Sequence, residues 1–158
     1  MSEIIYKYTS SVPRHAAPAV DIRWLTPADY HIFAEHLAFC GQRIITEDVW
    51  REICDEGTVY CGLFVDDRMT ARACREMVSD DVWEIADVRT AQDYRNRGQA
   101  FAVCNSVLRY ILDAGKTPSI RTEEHNVAMQ KVITKLDEPS SALDPIAEYK
   151  MYESFIGR

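Results

Sequence analysis

The chain has 158 residues, 47% of them hydrophobic and 27% charged, with a formal net charge of −7. That is one globular domain's worth, with enough apolar residues for a continuous core. No apolar run approaches the ~20 residues that cross a bilayer, and no run of Lys and Arg offers to neutralise a nucleic-acid backbone, so neither membrane nor nucleic acid is an expected partner.

The opening Met1-Ser2-Glu3-Ile4-Ile5 lacks the charged, apolar and small-residue succession of a signal peptide, so the expected location is the cytoplasm. The acid excess suits steering of cationic substrates such as amines, and it equally suits plain solubility. Five cysteines, Cys40, Cys54, Cys61, Cys74 and Cys104, form no C-x-x-C pair. No metal site is expected from them. They fall mostly where an apolar residue would fit, as buried free thiols do.

Residues 1 to 19, with Pro13 and Pro18, read as an arm or an added edge strand. Residues 20 to 158 read as a single domain. Asp21 to Leu25 alternates as a strand does. Thr26-Pro27-Ala28-Asp29 supplies a cap, a proline for the first helical position and an early acid. Phe33, Leu37 and Cys40 then recur at helical spacing. Thr46 caps a second short helix through Val49, Trp50 and Ile53, and Gly57 can end it. Three short strands follow, Thr58–Val65, Met69–Val78 and Val82–Thr90, with connections short enough for antiparallel neighbours.

The period then changes. Ala100, Val103, Cys104, Val107, Ile111 and Leu112 recur at intervals of three and four, ending at Gly115, which predicts an amphipathic helix. Ser119–Thr122 is a strand. Asn126 can cap a helix carrying Met129, Val132, Ile133 and Leu136 on one stripe. Ala147 to Phe155 closes the chain as a strand. The order predicts a mixed α/β (α+β) sheet with helices on its faces. The strand at Val82, the helix from Gly98 and the strand at Ser119 form a β-loop-α-β unit with parallel strands.

In that unit, Arg95-Asn96-Arg97-Gly98-Gln99-Ala100 lies between a strand and a helix start. Helix-start N–H groups have no partner within the helix, and the dipole adds partial positive charge. A pyrophosphate suits such a place. Gly98 allows close approach, and Arg95 and Arg97 add cationic side chains. Other carboxylates and histidines distributed along the chain, including Glu76, Asp87, Glu123, Glu124 and His125, read first as surface or substrate-facing groups.

Asp93-Tyr94-Arg95-Asn96-Arg97-Gly98-Gln99-Ala100 resembles the coenzyme-A loop of the GNAT N-acetyltransferase superfamily, written as Gln or Arg, two residues, Gly, one residue, then Gly or Ala. Val88-Arg89-Thr90 resembles the end of that family's fourth strand, and Asn126 to Leu136 resembles its fourth helix. Glu148-Tyr149-Lys150-Met151-Tyr152 resembles a terminal strand. The resemblance leaves out residues 1 to 19. It implies a mostly antiparallel sheet, splayed between its fourth and fifth strands, and direct acetyl transfer from acetyl-CoA to an amine of a small molecule or peptide. It implies cofactor contacts from Val88, Arg89, Thr90, Arg95, Asn96, Arg97, Gly98, Gln99 and Ala100. Asn126 either touches the cofactor arm or only caps its helix.

Glu84, eleven residues before Arg95, is the candidate base, since some family members hold a catalytic glutamate at that spacing. Alternation puts Glu84, Ala86 and Val88 on one face, and Trp83, Ile85 and Asp87 on the other. The chain departs from the family where a tyrosine acid often stands, at Ile133, and after Lys135-Leu136, where Asp137-Glu138 replaces Gly-Phe. These departures leave open a catalytically weak or inactive acyl-CoA-binding module. The arm and the apolar last strand could also pair with a second copy in a homodimer.

Overall fold

The computed structural model describes residues 3–138 and the backbone of Met151–Phe155. Seven strands, β1 (Glu3–Tyr8), β2 (Ile22–Trp24), β3 (Val59–Val65), β4 (Arg68–Met77), β5 (Val82–Thr90), β6 (Thr117–Glu123) and β7 (Met151–Phe155), form one sheet in the order β2-β3-β4-β5-β6-β1-β7. Among the described residues four α-helices cover it: α1 (Tyr30–Phe39), α2 (Glu47–Asp55), α3 (Gln99–Asp113) and α4 (Val127–Asp137). The β5–β6 pair, joined through α3, is parallel, and every other pair is antiparallel, β3–β4 and β4–β5 through short hairpins.

Local signals account for most boundaries. A single 3-10 turn precedes α1, with the Thr26 N–H donating to Asp29 Oδ2 at 2.7 Å. At α2, Val49 N–H donates to Thr46 Oγ1 at 3.2 Å. The β3–β4 turn is made by Asp66 and Asp67, at φ 50° and 61°. Paired left-handed residues of this kind match the twist of a tight hairpin. Helix α3 buries Val103, Val107, Leu108 and Ile111 against the sheet, each worth about 1.5–3 kcal/mol relative to exposure.

The sheet separates two apolar layers. One, under α3 and α4, includes Leu63, Ala73, Ile85 and Ile120. The other, under α1 and α2, holds Phe33, Trp50, Tyr60 and Cys74. In that second layer Phe33 stacks on Trp50 with ring centroids 4.5 Å apart, and the Trp50 indole N–H donates to the Pro27 carbonyl at 3.1 Å. Cys61, Cys74 and Cys104 are buried free thiols, and Cys40 and Cys54 are half-buried free thiols.

The strand Glu3–Tyr8 is not at an edge of the sheet. β1 lies between β6 and β7, pairing with Lys7 opposite Ser119 on one side and Tyr152 on the other. The expected arm or edge strand is thus an inner strand, because a strand's own residues carry no record of which strands will flank it. The following arm is strapped to the helices. Arg109 Nη1 donates to the His15 carbonyl at 2.6 Å, and Asn105 Nδ2 to the Ala16 carbonyl at 2.9 Å. The expected last strand is seen from Met151 to Phe155; its first four residues, 147 to 150, lie outside the described ones.

His36 is fully buried on α1, and its Nδ1 lies 3.0 Å from the Met69 carbonyl. A carbonyl can only accept, so Nδ1 carries the proton. Burial pushes the imidazole down to about 4; the Met69 bond and Asp87 favour the cation, and Arg72 and Arg89 oppose it. The unfolded chain takes up that proton near pH 6.5. Folding is therefore favoured most above pH 6.5 and loses stability as pH falls towards 4. His36 should contribute a loss of about 3 kcal/mol across that window. Urea titrations at stepped pH should show the loss, and His36→Asn, which keeps the donor to Met69 without a titrating ring, should flatten it.

Candidate functional site

The site begins with one extra residue in β5. Between the pairs Arg72–Arg89 and Cys74–Ala86, β4 advances two residues while β5 advances three. The surplus residue forms a β-bulge, and Asp87 there has φ 47°. Such a conformation costs a non-glycine residue about 1–3 kcal/mol unless its neighbours hold it. Arg72 holds it: Nε donates to Asp87 Oδ2 at 3.2 Å and Nη2 to Oδ1 at 3.0 Å. The Tyr60 hydroxyl donates to Oδ2 at 2.5 Å. Burial, followed by the charges of Cys74 and Asp87, keeps that phenol protonated well above its ordinary range. Arg72 is 2% exposed and gives its remaining arm, Nη1, to Gln42 Oε1 at 2.8 Å.

The bulge has two consequences. β5 and β6 pair only from Val82–Thr117 to Ile85–Ile120, so the strands part where the bulge begins. It also reverses alternation. Ala86 packs in the layer under α1 and α2, whereas Val88 packs in the layer under α3. The expected shared face of Glu84 and Val88 is therefore corrected: strict alternation fails because two consecutive residues oppose one. Asp87, expected opposite Glu84, instead meets Tyr60 on the α1–α2 side.

The loop after β5 closes one end of this gap. Asn96 and Gly98 have φ 62° and 76°. Among the described residues, the N–H groups of Asn96 through Ala100 have no backbone acceptor. Alternating left-handed residues at a helix start make an anion-binding concavity. A Cβ built on Gly98 would meet nothing within 4 Å, so the space over the loop is open. Thr70 Oγ1 donates to Gln99 Oε1 at 2.7 Å and ties the start of α3 to β4. Arg95 Nε donates to the Thr90 carbonyl at 3.2 Å, and the Arg97 guanidinium lies 5.1 Å from the Tyr94 ring centroid. Thr90 Oγ1 is buried with no hydrogen-bond partner among the described residues. An orphaned hydroxyl beside parted strands, next to an open cradle of N–H groups, fits an arm of amides ending in a pyrophosphate, which is the shape of coenzyme A. Arg89 is exposed on β5 next to Thr90.

The other candidate residues are placed as follows. Glu84 is buried and paired with Arg121 of β6, Nε to Oε1 2.6 Å. Asn126 caps α4, accepting from Met129 N–H at 3.1 Å. Ile133, where a tyrosine acid was sought, is 2% exposed. The Tyr6 hydroxyl, brought by β1, donates to Gln130 of the same helix at 2.9 Å. Burial raises the Glu76 carboxyl above its ordinary range, helped by the charges of Glu84 and Asp87. His125 is exposed beside Glu124, 3.7 Å away. Among the described residues, no group of three or more His, Cys, Asp or Glu could hold a metal, and no helix is long and apolar enough to cross a membrane.

The model of the family described as FR47-like protein matches residues 60–138, half of the chain. The chain belongs to this FR47-like family of GNAT-related proteins. No curated protein sequence matches it significantly. Solved structures share its fold. A GNAT-family protein from Novosphingobium aromaticivorans DSM 12444 superposes with a TM-score of 0.62 at 19% identity, over 85% of this chain and 58% of the other. The chain thus spans little more than half that protein's length. The ribosomal-protein-alanine N-acetyltransferase of Brucella melitensis biovar Abortus 2308 gives a TM-score of 0.60 at 18% identity, over 82% and 99%. AAC(6')-Iy, solved with the bisubstrate analogue CoA-S-monomethyl-acetylneamine, gives 0.63 at 15% identity, over 83% and 98%. The mixed sheet with helices on both faces is the fold of these GNAT proteins.

Gly98→Glu should weaken acetyl-CoA binding at least tenfold, about 1.4 kcal/mol or more, by putting bulk and negative charge into the cradle. The open space around Gly98 leaves the fold intact at a backbone strain of about 1 kcal/mol. Calorimetric titration of wild type and variant with acetyl-CoA checks this, and equal affinities would sink the cofactor assignment.

Proposed function

We propose that the protein transfers an acetyl group directly from acetyl-CoA to an amine of a small molecule or peptide. The observation that carries this reading is the conjunction of the parted β5–β6 strands with the unpartnered N–H groups of Asn96 to Ala100. Val88, Arg89 and Thr90 would line the pantetheine arm, and the orphaned Thr90 hydroxyl would find its partner there. Asn96, Arg97, Gly98, Gln99 and Ala100 would hold the pyrophosphate through backbone N–H groups, with Arg95 adding charge. Asn126, whose side-chain oxygen is taken by its cap, could offer the arm only its amide N–H. AAC(6')-Iy, with its CoA-containing bisubstrate analogue, supports the same choice of acyl donor.

The acceptor side follows from charge. Glu84 and Asp87 both act on the Glu76 carboxyl, and such a cluster of acids favours a cationic amine arriving from water. The amine must shed a proton before it attacks the thioester. Glu84 is the base in this reading, with Arg121 fixing the position of its carboxyl group. The oxyanion would be met by a backbone N–H of β5 near Val88, freed from β6 by the splay.

A second reading has specific support. Glu84 is already engaged by a cation, and the family's acid position is a buried isoleucine, Ile133. Both facts favour an acyl-CoA-binding module with weak or no catalysis. A panel of amines offered with acetyl-CoA, followed by thiol release, separates the two readings. Tight binding without thiol release on any amine would favour the module. Given an active amine, Glu84→Gln should keep cofactor affinity within about twofold and lower turnover by about 100-fold, the range of a lost general base. Wild-type turnover across the pH range would remove Glu84 from the role.

A further inference from the structure

A second arginine is buried in β4, and among the described residues it has no carboxylate. Arg75 is 7% exposed, and its Nε is buried with no hydrogen-bond partner. No described residue forms an ion pair with its guanidinium or accepts from it. The arginines on either side of β5 differ in this respect: Arg72 grips Asp87, and Arg121 grips Glu84. Arg75 stands opposite Ile85 in the ladder, so its side chain points into the layer under α3.

What surrounds Arg75 is aromatic. Its Cζ lies 4.4 Å from the ring centroid of Trp83 and 5.6 Å from that of Tyr110. Trp24 packs on Tyr110 with ring centroids 4.7 Å apart. Lys116, in the connection from α3 to β6, brings a second cation to the same indole, with Nζ 5.6 Å from the Trp83 centroid. Lys116 also has no ion pair among the described residues.

The rings alone do not satisfy these cations. A π-face attracts the charge but gives the N–H groups no acceptor. Two like charges drawn to one ring also repel each other. The indoles add further donors. Trp50 gives its N–H to the Pro27 carbonyl, whereas those of Trp24 and Trp83 meet no acceptor among the described residues. In a chain of net charge −7, this cluster gathers two positive charges and several N–H donors. An anion is the partner that would satisfy all of them at once.

The cluster is also remote from the cofactor cradle. The cradle is at the first turn of α3, and Tyr110 stands roughly 16 Å further along the helix axis. We propose that Arg75 and Lys116, gathered on the Trp83 ring, form a second anion site that takes a small carboxylate or phosphate ligand. The two ligand types share the chemistry that matters. Each spreads negative charge over several oxygens, two of which can meet a guanidinium fork while a third contact goes to an ammonium. The aromatic walls suit a ligand whose charged group is carried on a flat or apolar body.

The test uses the full chain without acetyl-CoA, titrated with sodium phosphate and separately with sodium benzoate. Ionic strength is held constant with sodium chloride, and binding is followed by indole fluorescence and by calorimetry. At least one of the two anions should bind saturably, with half-saturation near or below ~1 mM. The tighter of the two shows whether the ligand is a phosphate or a carboxylate. Arg75→Met removes the charge and keeps the packing of the stem; it should weaken binding at least tenfold. Lys116→Gln, at the protein surface, should weaken it at least threefold and decides the matter if Arg75→Met does not fold. Gly98→Glu, which fills the cradle, should bind the anion as wild type does. No saturable signal with either anion, a response that chloride reproduces, wild-type affinity in the Arg75 or Lys116 variant, or loss of binding in Gly98→Glu each overturns the proposal. The acetyl-CoA reading is tested by its own titration and stands or falls apart from this one.

Discussion

The whole site depends on one arginine held in the core. Arg72 is buried on β4 with five N–H donors to satisfy, and it spends three of them on Asp87 and Gln42. A buried guanidinium left without its carboxylate is strongly destabilising. Asp87 must therefore reach it, and on a regular β5 it would lie on the other side of the sheet. The inserted residue, with Asp87 at φ 47°, resolves the conflict. Charge-assisted bonds, roughly twice as strong as neutral ones, offset the strain. The parting of β5 from β6 follows from the same bulge, since a strand that twists away cannot keep a parallel ladder.

The loop meets a different constraint. Helix α3 must begin soon after β5 ends, within the eight residues between Thr90 and Gln99, and its first N–H groups are left without backbone acceptors among the described residues. Ala91 N–H bonds the Thr70 carbonyl at 2.8 Å, and a 3-10 turn from Gln92 to Tyr94 follows. Left-handed Asn96 and Gly98 then turn the chain so that successive N–H groups converge. Asparagine and glycine are the residues that adopt that conformation most readily. The Thr70–Gln99 bond anchors the arrangement to the sheet without using a backbone donor.

These two constraints differ in how far they can be read along the chain. The loop is local: Asn96, Gly98, the arginines and the period of α3 lie within a few turns, and the pattern predicts the cradle and the helix together. The bulge is not local. It is made by Arg72 and Asp87, fifteen residues apart, and by Tyr60 on a third strand. Nothing in the alternation of Trp83 to Val88 announces that one residue is surplus, so strict alternation assigns the wrong faces after Ala86. The same holds for β1. Residues 1 to 19 read as an arm or an added edge strand, yet the place of Glu3–Tyr8 between β6 and β7 is set by pairing partners more than a hundred residues away. His36 illustrates a third case. Its place on the first helix is visible in the sequence, but the Met69 carbonyl that fixes its tautomer is brought by β4.

The arginines also divide the acidic face unevenly, and that division bears on the chemistry. Asp87 is fastened to Arg72 and Glu84 to Arg121, so each strand junction flanking β5 carries a matched pair. The two are not equivalent. The Glu84 side chain is 8% exposed and Arg121 28%, whereas Asp87 is 40% exposed over an almost fully buried Arg72. Asp87 thus presents a carboxylate edge to the parted strands while its cation stays beneath. Glu84 is enclosed and meets solvent mainly through its partner. Glu76, without an ion pair among the described residues, adds a carboxyl whose proton is held more tightly, first by burial and then by the neighbouring Glu84 and Asp87. In the proposed reading, an approaching ammonium group meets Asp87 first and gives its proton to the more enclosed Glu84. Separating the group that attracts the amine from the group that takes its proton is what lets a charged acceptor be captured and still react as a neutral nucleophile.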